Sequence, residues 1–162
     1  MTNLGLQLAL EEMNIPFVRT DVGDRYVLAE LLSRKWQLGG ESSGHIICLD
    51  MTTTGDGIVS ALQALEALVN CGETLADLKK KMNKMPQTMI NVKMAQKQDI
   101  SNDKTVLSAV ARVEQELGKS GRVLLRPSGT EPVIRVMVEG EDSHQVSRLA
   151  IELSEVVTTV VA

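Results

Sequence analysis

The chain has few aromatic residues, which make up 2% of its 162 positions: one Phe, one Tyr and one Trp. Proteins that bind single-stranded nucleic acids stack the bases on aromatic side chains, so this composition argues against such a surface. Positive charge is not in excess either, because the formal net charge is −4 and the basic residues are scattered. The sequence therefore predicts neither a nucleic acid nor a membrane as partner.

Cysteine is also scarce. Cys48 and Cys71 are the whole supply, and their spacing matches no metal-ligand motif. We expect two buried or half-buried thiols in a reducing compartment and no disulfide between them. No uncharged apolar run is long enough to span a bilayer, and the N-terminus lacks a basic-then-apolar signal sequence. A cytoplasmic location is therefore expected.

Apolar residues make up 43% of the chain and charged residues 23%, which is typical of a globular protein of one domain or two small ones. A linker-like stretch at 82–87 divides the pattern, so we expect one domain over 1–84 and a second over 85–162.

The first segment alternates helical and strand-like patterns in the order helix, strand, helix, strand, strand, helix, which predicts an α/β sheet covered by helices. Two helices are predicted at 4–14 and 25–35, and a third follows a helix cap at 52–57. The predicted strands cover 17–22, 36–38 and 46–49. No strand precedes the first helix to pair with 17–22. We therefore expect the first half of this domain to be missing, which would leave the apolar helix faces only partly covered.

The second segment has the pattern of a complete α+β domain. A strand at 89–94, a helix at 104–117, a hairpin around 126–132 and a helix from Ser143 predict a small, mainly antiparallel sheet with two helices on one face.

The hairpin loop at 126–132 reads Arg-Pro-Ser-Gly-Thr-Glu-Pro. It combines a guanidinium, two hydroxyls and the backbone N–H groups of a glycine-containing turn, and a phosphate monoester requires such donors. Strand alternation places Arg126 and Arg135 together on the face opposite the core. The other interpretation is an ordinary polar turn, since Pro, Ser, Gly and Thr are common turn residues.

A second polar loop at 39–45 reads Gly-Gly-Glu-Ser-Ser-Gly-His. In an extended segment Glu41, Ser43 and His45 would project to one side, where a carboxylate and a hydroxyl can hold neighbouring sugar hydroxyls. His45 can hydrogen-bond substrate or carry a proton near neutral pH. The alternative is a glycine-rich hairpin with an exposed Glu and a locally bonded His.

Taken together, Gly-Glu-Ser-Ser-Gly-His at 40–45 and the loop at 126–132 resemble the α-D-phosphohexomutases. Stretches at 22–27, 52–57 and 133–142 support the resemblance, which covers essentially the whole chain. It implies the latter part of that family's domain three over 1–84 and all of its domain four over 85–162.

The resemblance also implies the roles of single residues. Those of the sugar-binding site are Arg25, Glu41, Ser43 and His45. Those that hold the phosphate that is not transferred are Arg126, Ser128, Gly129, Thr130 and Arg135. Pro127 stands where other members often carry a different residue, and we expect little effect from it.

The family's catalytic groups have no counterpart in the sequence. Its phosphoserine lies in a Ser-His-Asn-Pro-type loop and its Mg²⁺ on an Asp-x-Asp-x-Asp-type loop, and neither pattern occurs here. We therefore expect no catalytic or metal-binding residue in this chain and no activity from it alone. The expected partners are a phosphosugar and the missing N-terminal domains, and Mg²⁺ would be bound by the full-length parent outside this chain.

The implied activity of the parent is the interconversion of glucosamine 6-phosphate and glucosamine 1-phosphate through a phosphoserine and a bisphosphate. Two alternatives stay open: a mutase for mannose or glucose phosphates, and a non-catalytic phosphosugar-binding module.

Overall fold

The computed structural model describes residues 2–95, 98–128 and 131–161. The chain divides into two compact units, Met1–Lys84 and Met85–Ala162. Each unit has its own hydrophobic cluster. No helix in the described ranges is long and apolar enough to cross a membrane.

The first unit contains four helices and a two-stranded antiparallel ribbon. In chain order these are α1 (Leu4–Glu12), α2 (Asp24–Arg34), β1 (Leu38–Gly40), β2 (Ile46–Cys48), α3 (Gly57–Cys71) and α4 (Leu75–Lys80). Its small core is formed by Val27, Leu31 and Ile47. Gly39 allows the ribbon to pack on α2, because a Cβ at this position would lie 2.7 Å from Val27 Cγ1.

The ends of α3 follow from its sequence. Asp56 is its N-cap and accepts hydrogen bonds from the N–H groups of Ile58 (2.8 Å) and Val59 (3.0 Å). Gly72 follows the last turn with φ +67°, a conformation that favours glycine. The predicted N-terminal cap of this helix is confirmed.

Three expectations for the first unit are wrong. The strand expected at 36–38 lies instead at Leu38–Gly40, within the segment expected to begin the loop. Residues 17–22 form no strand, because a strand needs a neighbour for its backbone hydrogen bonds and the described strands of the first unit, β1 and β2, pair with each other. The segment 41–45 is a turn and not extended, because the ribbon reverses direction there.

The second unit is a three-stranded antiparallel sheet with two long helices. Its elements are β3 (Gln87–Lys93), α5 (Lys104–Leu117), a 3₁₀ turn (Gly118–Ser120), β4 (Gly121–Pro127), β5 (Val133–Gly140) and α6 (Ser143–Val161). The strand order is β3-β5-β4, and α5 and α6 pack on one face of the sheet. The core is centred on Val113, Val136, Leu149 and Leu153, which are fully buried. The predicted α+β arrangement is confirmed.

Candidate functional site

The hairpin of β4 and β5 places two arginines side by side. Arg126 is the cross-strand partner of Arg135. Their neighbours Leu125 and Ile134 belong to the core on the other face, so alternation directs both arginines away from that core. Both residues are half-buried. Like charges directly opposite each other destabilise a sheet, so this pair is best satisfied by an anion.

Neither guanidinium has a carboxylate partner among the residues that the structure describes. In the described parts of the chain, the side chains of Arg126 and Arg135 have no hydrogen bond and no ion pair. Arg122, which also lies on β4, does have a carboxylate partner. Its Nε lies 2.6 Å from Oε2 of the fully buried Glu139. The two arginines nearest the loop therefore keep their donors for a ligand.

Ser128 closes the loop that joins the two strands. Its N–H donates to the Val133 carbonyl (2.8 Å), and its Oγ accepts from the Glu131 N–H (3.3 Å). The side chain is buried at 2% exposure, and the hydrogen of its hydroxyl is not used by that bond. Gly129 and Thr130, the other predicted phosphate ligands, lie outside the described residues.

A pocket of about 220 Å³ lies beside β4, between the strand, α5 and the segment that precedes α5. Its wall is mainly apolar, with Arg126 and Asp99 as the charged members. The Ser101 N–H donates to Asp99 Oδ1 (2.9 Å) and holds the pKa of that carboxyl below its ordinary value. The Asp99 carboxylate is thus committed to its own turn, and Arg126 is the other charged residue that lines the pocket.

In the first unit, the turn between β1 and β2 brings the predicted sugar-binding residues together. The Glu41 N–H donates to the His45 carbonyl (2.9 Å), and the Gly44 N–H to the Glu41 carbonyl (3.1 Å). Gly44 has φ +99°, which a residue with a Cβ rarely adopts. Glu41, Ser43 and His45 therefore lie close together because the backbone forms a closed turn. The side-chain alternation of an extended strand, which the sequence predicted, is not the cause.

The side chains of this turn contact the start of α2. Glu41 Oε1 accepts a hydrogen bond from the Gly23 N–H (2.7 Å). His45 Nδ1 lies 3.2 Å from Ser43 Oγ and 3.2 Å from Asp24 Oδ1. The second carboxylate oxygen of Glu41 has no hydrogen bond to a residue that the structure describes.

Arg25 is exposed and follows Asp24, the residue that contacts His45. Its Nη2 donates to the Tyr26 hydroxyl (2.6 Å), and its guanidinium lies 4.5 Å from the centre of the same ring. A ligand that binds Arg25 must compete with this contact.

Asp24 is the residue of this cluster that the sequence analysis missed. It stands beside Arg25 in the stretch 22–27 that supported the resemblance, but only Arg25 was assigned a role there. Its contact with His45 joins two segments about twenty residues apart, so local spacing does not reveal it.

Comparison with known proteins defines the class to which this fold and these loops belong. Residues 1–85 match the family model described as phosphoglucomutase/phosphomannomutase, alpha/beta/alpha domain III, and residues 89–156 match the model of the C-terminal domain. The chain belongs to the phosphoglucomutase/phosphomannomutase family, and the resemblance drawn from its motifs is confirmed.

Relatives with high sequence identity are phosphoglucosamine mutases. The protein of that name from Cellvibrio japonicus is 58% identical over 157 residues, which are 97% of this chain and 35% of the relative. The phosphoglucosamine mutase of Azotobacter vinelandii is 54% identical over 162 residues, or 100% of this chain and 36% of the relative. The chain thus spans about a third of the length of the curated relatives it matches.

Solved structures share the fold. The N-acetylphosphoglucosamine mutase of Aspergillus fumigatus, in complex with GlcNAc-6P and magnesium, has a TM-score of 0.84 at 17% identity over 99% of this chain and 38% of its own. An N-acetylglucosamine-phosphate mutase in its substrate complex has a TM-score of 0.80 at 19% identity, covering 96% of this chain and 37% of its own. The expected phosphohexomutase fold is confirmed.

Magnesium in that relative raises the question of whether this chain has a magnesium site. Among the described residues, Asp24, Glu41 and His45 offer ligand atoms that all lie within 4.8 Å of one another. However, Mg²⁺ prefers six oxygen ligands in octahedral geometry, whereas this set includes an imidazole. In addition, His45 Nδ1 and Glu41 Oε1 already have protein partners. These residues do not suit Mg²⁺.

Proposed function

We propose that this chain is the sugar- and phosphate-binding part of a phosphoglucosamine mutase. The parent enzyme interconverts glucosamine 6-phosphate and glucosamine 1-phosphate in the cytoplasm and supplies UDP-N-acetylglucosamine synthesis. The structural observation that carries the proposal is the pair Arg126 and Arg135, opposite each other and without a carboxylate partner in the described chain. The identity of 53–58% to proteins of that name supports the choice within the family.

The second unit, residues 85–162, binds the phosphate that is not transferred. Two guanidinium groups from neighbouring strands supply charge-assisted hydrogen bonds to its oxygens, and the loop Ser128–Thr130 supplies hydroxyl and backbone donors. Binding the anion removes the repulsion between Arg126 and Arg135. Because these donors contact only phosphate oxygens, the site accepts a phosphomonoester at either end of the sugar. A bisphosphate intermediate that turns end for end requires this.

The first unit, residues 1–84, binds the sugar hydroxyls. The free oxygen of Glu41 accepts from one hydroxyl, Ser43 both donates and accepts, and His45 offers its second ring nitrogen. Arg25 adds a positive charge near this turn. Because hydroxyls on adjacent carbons have similar spacing in both orientations of the sugar, the same groups serve both half-reactions.

The transfer itself requires groups that this chain does not contain. A phosphoserine would donate the phosphoryl group, and Mg²⁺, held by the N-terminal part of the parent, would neutralise the charge that develops on it. We therefore expect no mutase turnover when this chain is assayed alone in a coupled assay. Turnover by the purified chain would contradict this division of roles.

The proposal is tested by titrating the chain with glucosamine 6-phosphate and following backbone amide shifts at Ser128–Thr130. We expect Arg126→Ala to weaken binding by about 1.5–3 kcal/mol, roughly 10- to 150-fold, the range for a hydrogen bond to a charged group. Arg112→Ala is the matched control, since Arg112 is exposed and pairs with Glu152 (3.0 Å). Equal affinities of Arg126→Ala and the wild type would contradict the phosphate site.

The family models carry the names of phosphoglucomutase and phosphomannomutase, so those activities are the alternative within the family. Competition between glucosamine 6-phosphate, glucose 6-phosphate and mannose 6-phosphate for the same amide shifts separates them. Preferential binding of the glucose or mannose ester would replace the proposed substrate and leave the phosphate site in place. A non-catalytic module is distinguished by the gene of the parent, which must encode the serine and metal loops of a mutase.

A further inference from the structure

The imidazole of His45 is held from one side. Its Nδ1 has two oxygen neighbours, Asp24 Oδ1 and Ser43 Oγ, each at 3.2 Å. Its Nε2 has no hydrogen bond to any residue that the structure describes. The side chain is about half exposed, so a ligand can reach it.

The chemistry of the two neighbours determines where the proton of a neutral His45 lies. A carboxylate has no hydrogen to donate, so a bare Nδ1 facing Asp24 would oppose two lone pairs. A hydrogen on Nδ1 replaces this repulsion with an electrostatic attraction to the carboxylate oxygen at 3.2 Å. The Ser43 hydroxyl fits either tautomer, because it can accept or donate. Asp24 is therefore the neighbour that selects the Nδ1–H form.

The backbone around His45 is held by other contacts. Glu41 donates its N–H to the His45 carbonyl and accepts from the Gly23 N–H, which ties the turn to α2. A Cβ at Gly40 would lie only 2.9 Å from the same carbonyl oxygen. Loss of the Asp24 carboxylate should therefore release the ring and leave the turn in place. Asp24 itself lies in the first turn of α2, where the helix dipole favours a negative charge.

We propose that Asp24 is a positioning residue for sugar binding. It keeps neutral His45 protonated on Nδ1, so that Nε2 presents a lone pair to a hydroxyl group of a bound hexose phosphate. The sugar contact rests on the proposed function, whereas the effect of Asp24 on the ring does not.

The effect on the ring is measured by ¹⁵N NMR of the imidazole in the intact chain, at a pH where His45 is neutral. A His144→Gln background leaves one imidazole to observe. We expect Asp24→Asn to lower the ratio of the Nδ1–H to the Nε2–H form about two- to fivefold, the size of a solvent-screened electrostatic contact at an exposed site. The Asn amide keeps the shape of Asp and can donate to a bare Nδ1.

Asp21→Asn is the matched control, because Asp21 is an exposed acid three residues earlier without a side-chain contact among the described residues. It removes the same charge and should leave the tautomer ratio unchanged. Asp24→Glu restores a carboxylate at the start of α2 and should recover most of the wild-type ratio. If Asp24→Asn fails to fold, Asp24→Ser removes the same charge and takes its place. An unchanged ratio in Asp24→Asn, or an equal change in Asp21→Asn, would overturn the inference.

Binding of glucosamine 6-phosphate provides the second measurement. We expect Asp24→Asn to weaken it about two- to fivefold while Asp21→Asn has no effect. A shifted tautomer with unchanged affinity would show that Nε2 does not contact the sugar, and the positioning role would then be wrong. If the wild type does not bind the phosphosugar at all, the proposed function fails, and the tautomer ratio still decides whether Asp24 holds His45.

Discussion

Leu149 and Leu62 are the same residue type on two amphipathic helices, yet their environments differ. Leu149, on α6, is fully buried against the sheet of the second unit. Leu62, on α3, is 58% exposed. Burial of a leucine side chain contributes about 1.5–3 kcal/mol, and an exposed one contributes little of this. The contribution of an apolar side chain to folding stability therefore depends on whether neighbouring elements bury it, and not on its residue type alone.

We expect Leu149→Ala to lower the free energy of unfolding of the second unit by about 2–5 kcal/mol, since it leaves a cavity in the core. Urea unfolding followed by amide signals of β5 measures this. Ile151→Ala on the same helix is the control, because Ile151 is 51% exposed; its substitution should cost less than about 1 kcal/mol. Equal losses for the two variants would contradict the packing of α6.

At the scale of elements, the N-terminus of α6 shows how a local pattern defines a helix. Asp142 Oδ1 accepts hydrogen bonds from the N–H groups of Gln145 (3.0 Å) and His144 (2.7 Å). These bonds, from Gln145 first and His144 second, lower the pKa of Asp142. The carboxylate therefore satisfies backbone donors that the helix itself cannot satisfy.

This cap makes stability depend on pH. Because the pKa of Asp142 is lower in the folded state, its contribution is complete above the unfolded value of about 3.9 and is lost as the pH falls through the folded pKa. We expect Asp142→Asn to retain the cap at pH 7, since Asn is an equally good N-cap. Between about pH 5 and 2 the unfolding midpoint of the variant should fall less steeply than that of the wild type.

Urea midpoints measured at each pH test this expectation, with Glu141→Gln as the control. Glu141 is the neighbouring exposed acid, and its substitution removes a carboxylate without removing the cap. Parallel curves for Asp142→Asn and the wild type would show that the carboxylate does not stabilise α6.

At the scale of the whole molecule, the two units differ in how completely they bury their apolar helix faces. In the second unit, α5 and α6 both contribute fully buried residues to one core. In the first unit, all residues of α3 are described and none is buried. Its apolar face, formed by Ile58, Leu62, Leu65 and Val69, is 57–80% exposed. A ribbon of two three-residue strands is too small to cover it.

We expect substitution of this face to have little effect on stability. The double variant Leu62→Gln/Leu65→Gln should change the free energy of unfolding of the first unit by less than about 1 kcal/mol, at roughly 0.5 kcal/mol per surface site. It should also reduce the binding of a hydrophobic dye such as ANS. The control is Leu31→Ala at 4% exposure, which should cost about 2–5 kcal/mol. A large loss in the double variant would show that the face is covered in solution.

The local features of the fold were predictable from the sequence because they depend on neighbouring residues. The limits of α5, the caps of α3 and the α+β arrangement of the second unit follow from periodicity, capping residues and glycine positions. The pairing of Arg126 with Arg135 on one face follows from strand alternation across a short hairpin. The expected strand at 17–22 failed because β-propensity has no effect without a neighbouring strand to bond.

The sequence by itself determined the motif loops, the helices and the family, because each depends on residues that are close along the chain. Only the tertiary structure decided which groups contact one another across it: Asp24 with His45, Glu41 with the start of α2, and Ser128 with the far side of its loop. The physical reason is that a hydrogen bond between distant segments depends on how the elements pack, and packing depends on every residue of the core at once.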